Sequence, residues 1–171
     1  MPGEATSPRG HVSQEGQVAV VTGGGRGIGR GIVIELAAAG FSVVVNYRSD
    51  SAAAHDCCRE AEARGAPRAL ALQTDVADLP QGRRMLEGIL GQFGRVDLWV
   101  NNAGIAPETR MDLLQTTPES WDRVLATNLR GPFFLTQAAS AAMLELKNAG
   151  IVSTPRIIFI TSISSAFASV N

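Results

Sequence analysis

The sequence predicts an α/β fold, a doubly wound parallel sheet, and three observations predict it. Short apolar runs alternate with longer stretches of helical pattern from Gly16 onward. Most of the runs are continuous rather than alternating, as in strands covered on both faces by crossover helices. The first run ends in a glycine-rich turn, Gly23–Gly24–Gly25–Arg26–Gly27–Ile28–Gly29, that opens directly into a helix. Strand–helix–strand alternation with right-handed crossovers closes into one layered sheet.

Taken in order, residues 1–16 carry Gly, Pro, Ser and charge without periodicity and read as a flexible tail. Residues 17–171 form the folded part. Strands are expected at Val18–Val21, Val43–Val45, Ala69–Leu72, Val96–Val100 and Ile157–Ile160, with helices at 28–39, 50–64, 79–93 and 118–147. Ile28, Ile32 and Leu36, at i, i+4 and i+8, are expected to pack the first helix on the sheet. Gly40 suits a left-handed helix end, and Asp78 caps the helix that holds Pro80 in its first turn. Thr117 and Pro118 form an N-cap and N1 pair. No repeat or interdomain linker interrupts the series.

Composition excludes several function classes. A chain of 171 residues suits one domain with a sizeable core, and 45% hydrophobic with 18% charged residues is the balance of a soluble globular protein. A formal charge of −1 leaves no global basic field for nucleic acid or an anionic membrane, and Arg83–Arg84 read as a solvated helix face. The adjacent Cys57 and Cys58 have neither metal-ligand spacing nor a disulfide framework, so reduced thiols and no metal are expected. His11 and His55 read as solvated. The apolar runs are too short to span a membrane, the N-terminus lacks a secretory apolar core, and a cytoplasmic location is the expectation.

The glycine turn carries the chemistry. Glycines let a backbone turn sharply and approach a pyrophosphate, and the following helix offers free N–H groups and the positive end of its dipole. The common G-x-G-x-x-G spacing is not met, because position 30 is Arg. The chain reads T-G-x-x-x-G-x-G at Thr22, Gly23, Gly27 and Gly29, with Gly25, Arg26 and Ile28 inside the turn. A purely structural tight turn is the alternative; the strand before and the helix after favour the dinucleotide. The second strand ends Val45–Asn46–Tyr47–Arg48 with no acid to hold ribose hydroxyls, and Asp50 looks like a helix cap. Arg48, with Arg26 as partner, suits a 2′-phosphate, so NADP(H) is expected over NAD(H). The competing view makes Arg48 a surface arginine and Tyr47 a support for adenine. The third strand ends Thr74–Asp75–Val76, where Asp75 either accepts from the adenine amino group or acts as a second cap.

Three further features lie near the expected ligand. Asn101–Asn102–Ala103–Gly104 follows the fourth strand, and amides with small residues suit a crowded backbone beside a ligand, or simply a turn. The helix from Pro118 has an apolar stripe of Trp121, Val124, Leu125, Leu129 and Pro132, and Asn128 falls on it. A polar side chain on a buried face needs partners, and Pro132 denies the carbonyl of residue 128 its usual N–H. The alternative is a kinked helix with a satisfied core amide. Thr161–Ser162–Ile163–Ser164 follows the fifth strand, at the end of a parallel sheet where ligands bind. Ser162 is the candidate, with Ser164 and Ser165 as neighbours.

These motifs, in this order over residues 17–171, resemble the short-chain dehydrogenase/reductase family, and within it the 3-oxoacyl-[acyl-carrier-protein] reductase-like members. The resemblance implies a Rossmann-type sheet and hydride transfer between NADP(H) and a small-molecule carbonyl/alcohol pair, with 3-oxoacyl-thioester-like substrates. It gives Asn128 (as N-x-x-G with Gly131) and Ser162 catalytic positions. Thr22, Gly23, Gly25, Arg26, Gly27, Ile28, Gly29, Tyr47, Arg48, Asp75, Val76, Asn102, Ala103 and Gly104 fall at cofactor-binding positions. It also implies a Y-x-x-x-K motif beyond Ser162, whose tyrosine moves the proton with the lysine's help. Tyr47 is the only tyrosine of the 171 residues, and it lies at the opposite end of the site. The expectation is therefore a sheet truncated after its fifth strand, C-terminally incomplete and not competent alone, from a protein that pairs as a homodimer or homotetramer at full length. A non-catalytic dinucleotide-binding or interaction module is the rival. A methyltransferase would explain the glycine turn but neither N-N-A-G nor Arg48.

Overall fold

The computed structural model describes residues 16–109 and 112–162. Five strands, β1 (Val18–Val21), β2 (Ser42–Tyr47), β3 (Ala69–Gln73), β4 (Leu98–Asn101) and β5 (Arg156–Phe159), form one parallel sheet in the order β3-β2-β1-β4-β5. The helices are α1 (Gly27–Ala38), α2 (Ser51–Ala63), α3 (Leu79–Phe93), α4 (Pro118–Leu125) and α5 (Gly131–Asn148). The expected tail and Ser164 and Ser165 lie outside the described residues, apart from Gly16.

Alternation within the strands builds two cores. Ala19, Val21, Val43, Val45 and Val100 face α1 and α2, while Val18, Val20, Val44 and Trp99 face α3 and α5. β1, β2 and β4 are thus buried on both sides, which explains their continuous runs in the sequence. The chain order reverses at β1, so β2 and β4 leave it in opposite directions and open a crevice at the strands' carboxyl ends.

Local chemistry sets the boundaries. Asp50, Asp78 and Thr117 cap their helices by accepting from the N–H groups of Ala53, Gln81 and Ser120. Gly40 takes the left-handed conformation, φ +92°. Arg30, where the common fingerprint has glycine, binds Glu60 at 2.7 Å and Asp56 at 2.9 Å and pins α1 to α2. β4 starts at Leu98 rather than Val96, because the Asp97 carboxylate accepts the Val18 N–H at 2.8 Å and pairs with Arg95.

Three expectations are corrected. The buried face of α1 is Gly29, Val33, Ile34 and Ala37; Ile28 is 70% exposed at the crevice, and Ile32 and Leu36 only flank the core. The single helix 118–147 is divided by a π turn, Ala126–Arg130. The Gly131 N–H bonds to the Ala126 carbonyl, five residues back, one residue before the proline that has no N–H. The apolar stripe that runs from α4 through the π turn into α5 is not a buried one: Trp121 is 58% and Leu129 61% exposed, and only Pro132 of the five is buried.

The Asp97–Arg95 pair sits where β1 and β4 begin, and Asp97 is 4% exposed. Replacing Asp97 by Ala leaves a guanidinium and the Val18 N–H without their acceptor, and should destabilise the fold by about 3 kcal/mol, read from urea unfolding. Cys57 and Cys58 are free and buried on α2, and burial pushes both thiols up to about 11. Both should resist a thiol reagent at pH 8 until the chain unfolds. The unfolded chain loses these protons from the ordinary 9.0 upward, whereas the folded chain keeps them to about 11, so stability should fall as pH rises through that window. A native thiol that reacts as fast as free cysteine would contradict this packing.

Candidate functional site

The crevice is built on backbone crowding. A Cβ on Gly29 would run into the Gly23 carbonyl oxygen and come within 2.5 Å of Asn102 Nδ2. Gly23 itself has φ +63°, and a Cβ there would lie 3.0 Å from Ala103 Cα. No side chain fits at either place, so the turn between β1 and α1 touches the end of β4 through bare backbone. Hydrogen bonds lock the contact. Asn102 Nδ2 donates to the carbonyls of Thr22 (2.9 Å) and Gly23 (3.2 Å). The Thr22 hydroxyl accepts from the N–H groups of Asn102 (2.9 Å) and Ala103 (3.0 Å) and donates to Val100.

In front of this seam lies a cleft of about 330 Å³, a size typical of ligand pockets. Gly23, Gly25, Arg26, Gly27, Ile28 and Gly29 line one wall. Tyr47 and Arg48 line the β2 side, Asp75 and Val76 the β3 side, and Asn102, Ala103 and Gly104 the β4 side. Thr22 is buried behind the wall and braces it rather than lining it. Arg26 is the N-cap residue of α1 and makes no side-chain cap, so the first-turn N–H groups have no side-chain partner at that end.

Charge is distributed to one side. Arg26 and Arg48 are exposed, and neither forms an ion pair among the described residues. Asp50, also at this wall, caps α2. Asp75 does not cap α3; Asp78 does, and Gln81's N–H holds the Asp78 carboxyl below the usual range. Asp75 Oδ1 instead accepts the Ala77 N–H at 2.9 Å in a local turn.

Asn128 departs from its expected burial. It is exposed, and its amide is satisfied by one residue: Oδ1 accepts the Ile105 N–H (2.8 Å) and Nδ2 donates to the Ile105 carbonyl (2.9 Å). The stripe on which it falls is itself exposed, with Trp121 and Leu129 at the surface, and that explains the difference. Ser162 is exposed and lies three residues past β5, outside the cleft lining. Three polar residues were not singled out by the sequence. Asn46 and Thr127 line the cleft, and Asp97 anchors the opposite end of the sheet. An amide at the end of a valine run was the available signal for Asn46.

The geometry suits a nucleotide: a glycine turn carrying Arg26 against a helix N-terminus, Arg48 after one strand end and Asp75 after the next, all lining one cleft. The family model "short chain dehydrogenase" matches residues 17–170. The chain is 39% identical over 141 residues to the 3-oxoacyl-[acyl-carrier-protein] reductase FabG of Staphylococcus aureus, covering 82% of this chain and 56% of that protein. It is 42% identical over 148 residues to a 3-oxoacyl-[acyl-carrier-protein] reductase of Synechocystis, covering 86% and 56%. The chain therefore spans little more than half the length of these relatives. A metagenomic short-chain oxidoreductase solved with NADP superposes with TM-score 0.82 at 34% identity, over 92% of this chain and 67% of that one. A 3-oxoacyl-[acyl-carrier protein] reductase from Brucella melitensis, solved with NAD, gives 0.79 at 39%, over 90% and 58%. With the match running through the sheet, the glycine turn and the cleft, the chain belongs to the short-chain dehydrogenase family of oxidoreductases.

Proposed function

We propose that this chain forms the NADP(H)-binding part of an oxidoreductase that interconverts a carbonyl and an alcohol. The observation that carries the reading is the cleft itself, where Arg48 stands exposed beside Tyr47 at the end of β2, Arg26 stands exposed on the glycine turn, and the acid after β2, Asp50, caps α2. The first turn of α1 would hold the pyrophosphate, with Gly23, Gly25, Gly27 and Gly29 keeping side chains out of its way and Ile28 beside it. Arg48 and Arg26 would hold the 2′-phosphate, and Tyr47 would flank the adenine. Asp75 would accept from the adenine amino group, with Val76 beside the ring, while Asn102, Ala103 and Gly104 line the adenosine side and Thr22 braces them from behind. NADP(H), when bound, supplies or accepts the hydride.

The protein's own contribution is position. Asn128 clamps Ile105 at the far end of the cleft through both polar atoms of its amide. Ser162, past the end of β5, is assigned to the substrate carbonyl. The Tyr and Lys of a Y-x-x-x-K motif are not among the 171 residues, so the reading assigns this chain cofactor binding and not turnover alone. The relatives' names favour a 3-oxoacyl-thioester-like substrate for the whole protein. Exposed Trp121, Leu129, Phe133 and Leu144 favour a homodimer or homotetramer of the whole protein. Among the described residues no helix is long and apolar enough to cross a membrane, and a cytoplasmic location is part of this proposal.

The test is titration with NADPH and NADH, read by energy transfer from Trp99 and Trp121, both outside the cleft lining. NADPH should bind more tightly than NADH, and no ketone should be reduced. Arg48→Ala should weaken NADPH by about tenfold, the worth of a charged hydrogen bond, and leave NADH nearly unchanged. Equal losses for both nucleotides would remove the 2′-phosphate assignment; a folded chain that binds neither would remove the nucleotide reading.

A further inference from the structure

Asn46 ends the valine run of β2, and it is 1% exposed. Its Oδ1 accepts the Gly23 N–H at 3.2 Å. Its Nδ2 donates to the carbonyls of Thr74 (3.0 Å) and Leu72 (3.4 Å). Its own main-chain carbonyl accepts the Gly24 N–H at 3.0 Å. One residue therefore joins the glycine turn, β2 and the end of β3, where Asp75 and Val76 follow Thr74 directly.

The residue type is dictated by what must be bridged. An N–H stands on one side and two carbonyls on the other, so the side chain must accept in one direction and donate in the other. An amide does both at once; a carboxylate accepts only, and an aliphatic side chain does neither. The consequence reaches the ligand wall. With the Gly23 and Gly24 N–H groups both bonded to Asn46, an anion at this turn must take its donors beyond Gly24, from the amides that lead into and open α1.

We infer that Asn46 is a positioning residue for the adenosine half of the cofactor, holding the glycine turn and the Asp75–Val76 segment at a fixed separation and directing the anion to α1. This rests on the nucleotide reading above. A merely structural amide would lower stability when replaced and leave the affinity of the folded protein alone.

The experiment is calorimetric titration of the 171-residue chain with 2′,5′-ADP, for the unaltered protein, Asn46→Ala and Asn46→Asp, at temperatures where circular dichroism shows each folded. Both variants should bind about tenfold more weakly. Asn46→Asp should be no better than Asn46→Ala, since its carboxylate keeps Gly23 but faces two carbonyls. A folded variant with unchanged affinity overturns the inference. Hydrogen exchange on the unaltered protein decides the matter where neither variant folds. The Gly23 amide should be protected already and gain nothing from 2′,5′-ADP, while the Ile28 and Gly29 amides become protected. A Gly23 amide that gains protection with the ligand overturns the inference while leaving the nucleotide reading intact. An unaltered chain that does not bind 2′,5′-ADP overturns the reading itself and this inference with it.

Discussion

The crevice depends on one close approach, the contact of Gly29 with the Gly23 carbonyl and the Asn102 amide. Parallel strands leave their carboxyl ends bare, and two neighbouring crossovers leaving in opposite directions would simply gape. Here the gap is drawn shut at its floor. The turn after β1 lies so close to the end of β4 that no Cβ enters, and Thr22 and Asn102 stitch the two backbones with reciprocal side-chain bonds. The helix N-terminus is thereby aimed along the crevice. The orientation follows from excluded volume first and hydrogen bonding second.

Around that seam the polar groups divide into two sets. Those inside the sheet answer one another: Asn46 with β3 and the glycine turn, and Asn101 with the Trp99 indole N–H and the Thr136 hydroxyl. Each is buried and bonded, as a low-dielectric interior requires. The second set faces outward at the cleft and has few protein partners. Arg26 and Arg48 have no ion pair among the described residues, whereas Arg30 and Arg95 bind carboxylates. Rigid satisfied groups behind and charged groups in front are what a preorganised anion site needs.

Much of this was legible in the sequence, and the exceptions share a cause. β1, β2 and β4 were legible because burial on both faces leaves continuous apolar runs, and the caps because Asp50, Asp78 and Thr117 announce themselves chemically. The face of α1 was misread because Ile28, Ile32 and Leu36 form a plausible stripe, while the true contact uses a glycine, which a hydrophobic pattern scores as nothing. Asn128 was placed on a buried face by the same reasoning, since the apolar stripe of Trp121, Leu125 and Leu129 suggests a core face, whereas Trp121 and Leu129 lie at the surface. Asn46 was passed over because its partners are backbone groups of two other elements, distant in sequence. Periodicity reports which side chains avoid water; it is silent about backbone-to-backbone contact.

A second backbone contact ties the two ends of the cleft together. A Cβ on Gly131 would collide with the Val76 carbonyl oxygen and lie 3.0 Å from the Ala126 oxygen. Gly131 follows the π turn that carries Thr127 and Asn128, and Val76 lies on the β3 side of the cleft. The helix can therefore start only where the segment after β3 permits, and Asn128 reaches Ile105 from that starting point. Asp75–Val76 is in turn fixed to Asn46 through Thr74, and Asn46 to the glycine turn. The chain of contacts runs from Gly23 through Asn46, Thr74 and Val76 to Gly131 and Asn128, and returns through Ile105 and Asn102 to Gly23. A closed loop of this kind resists distortion better than any of its links, because displacing one member requires moving two backbones that have no room to yield.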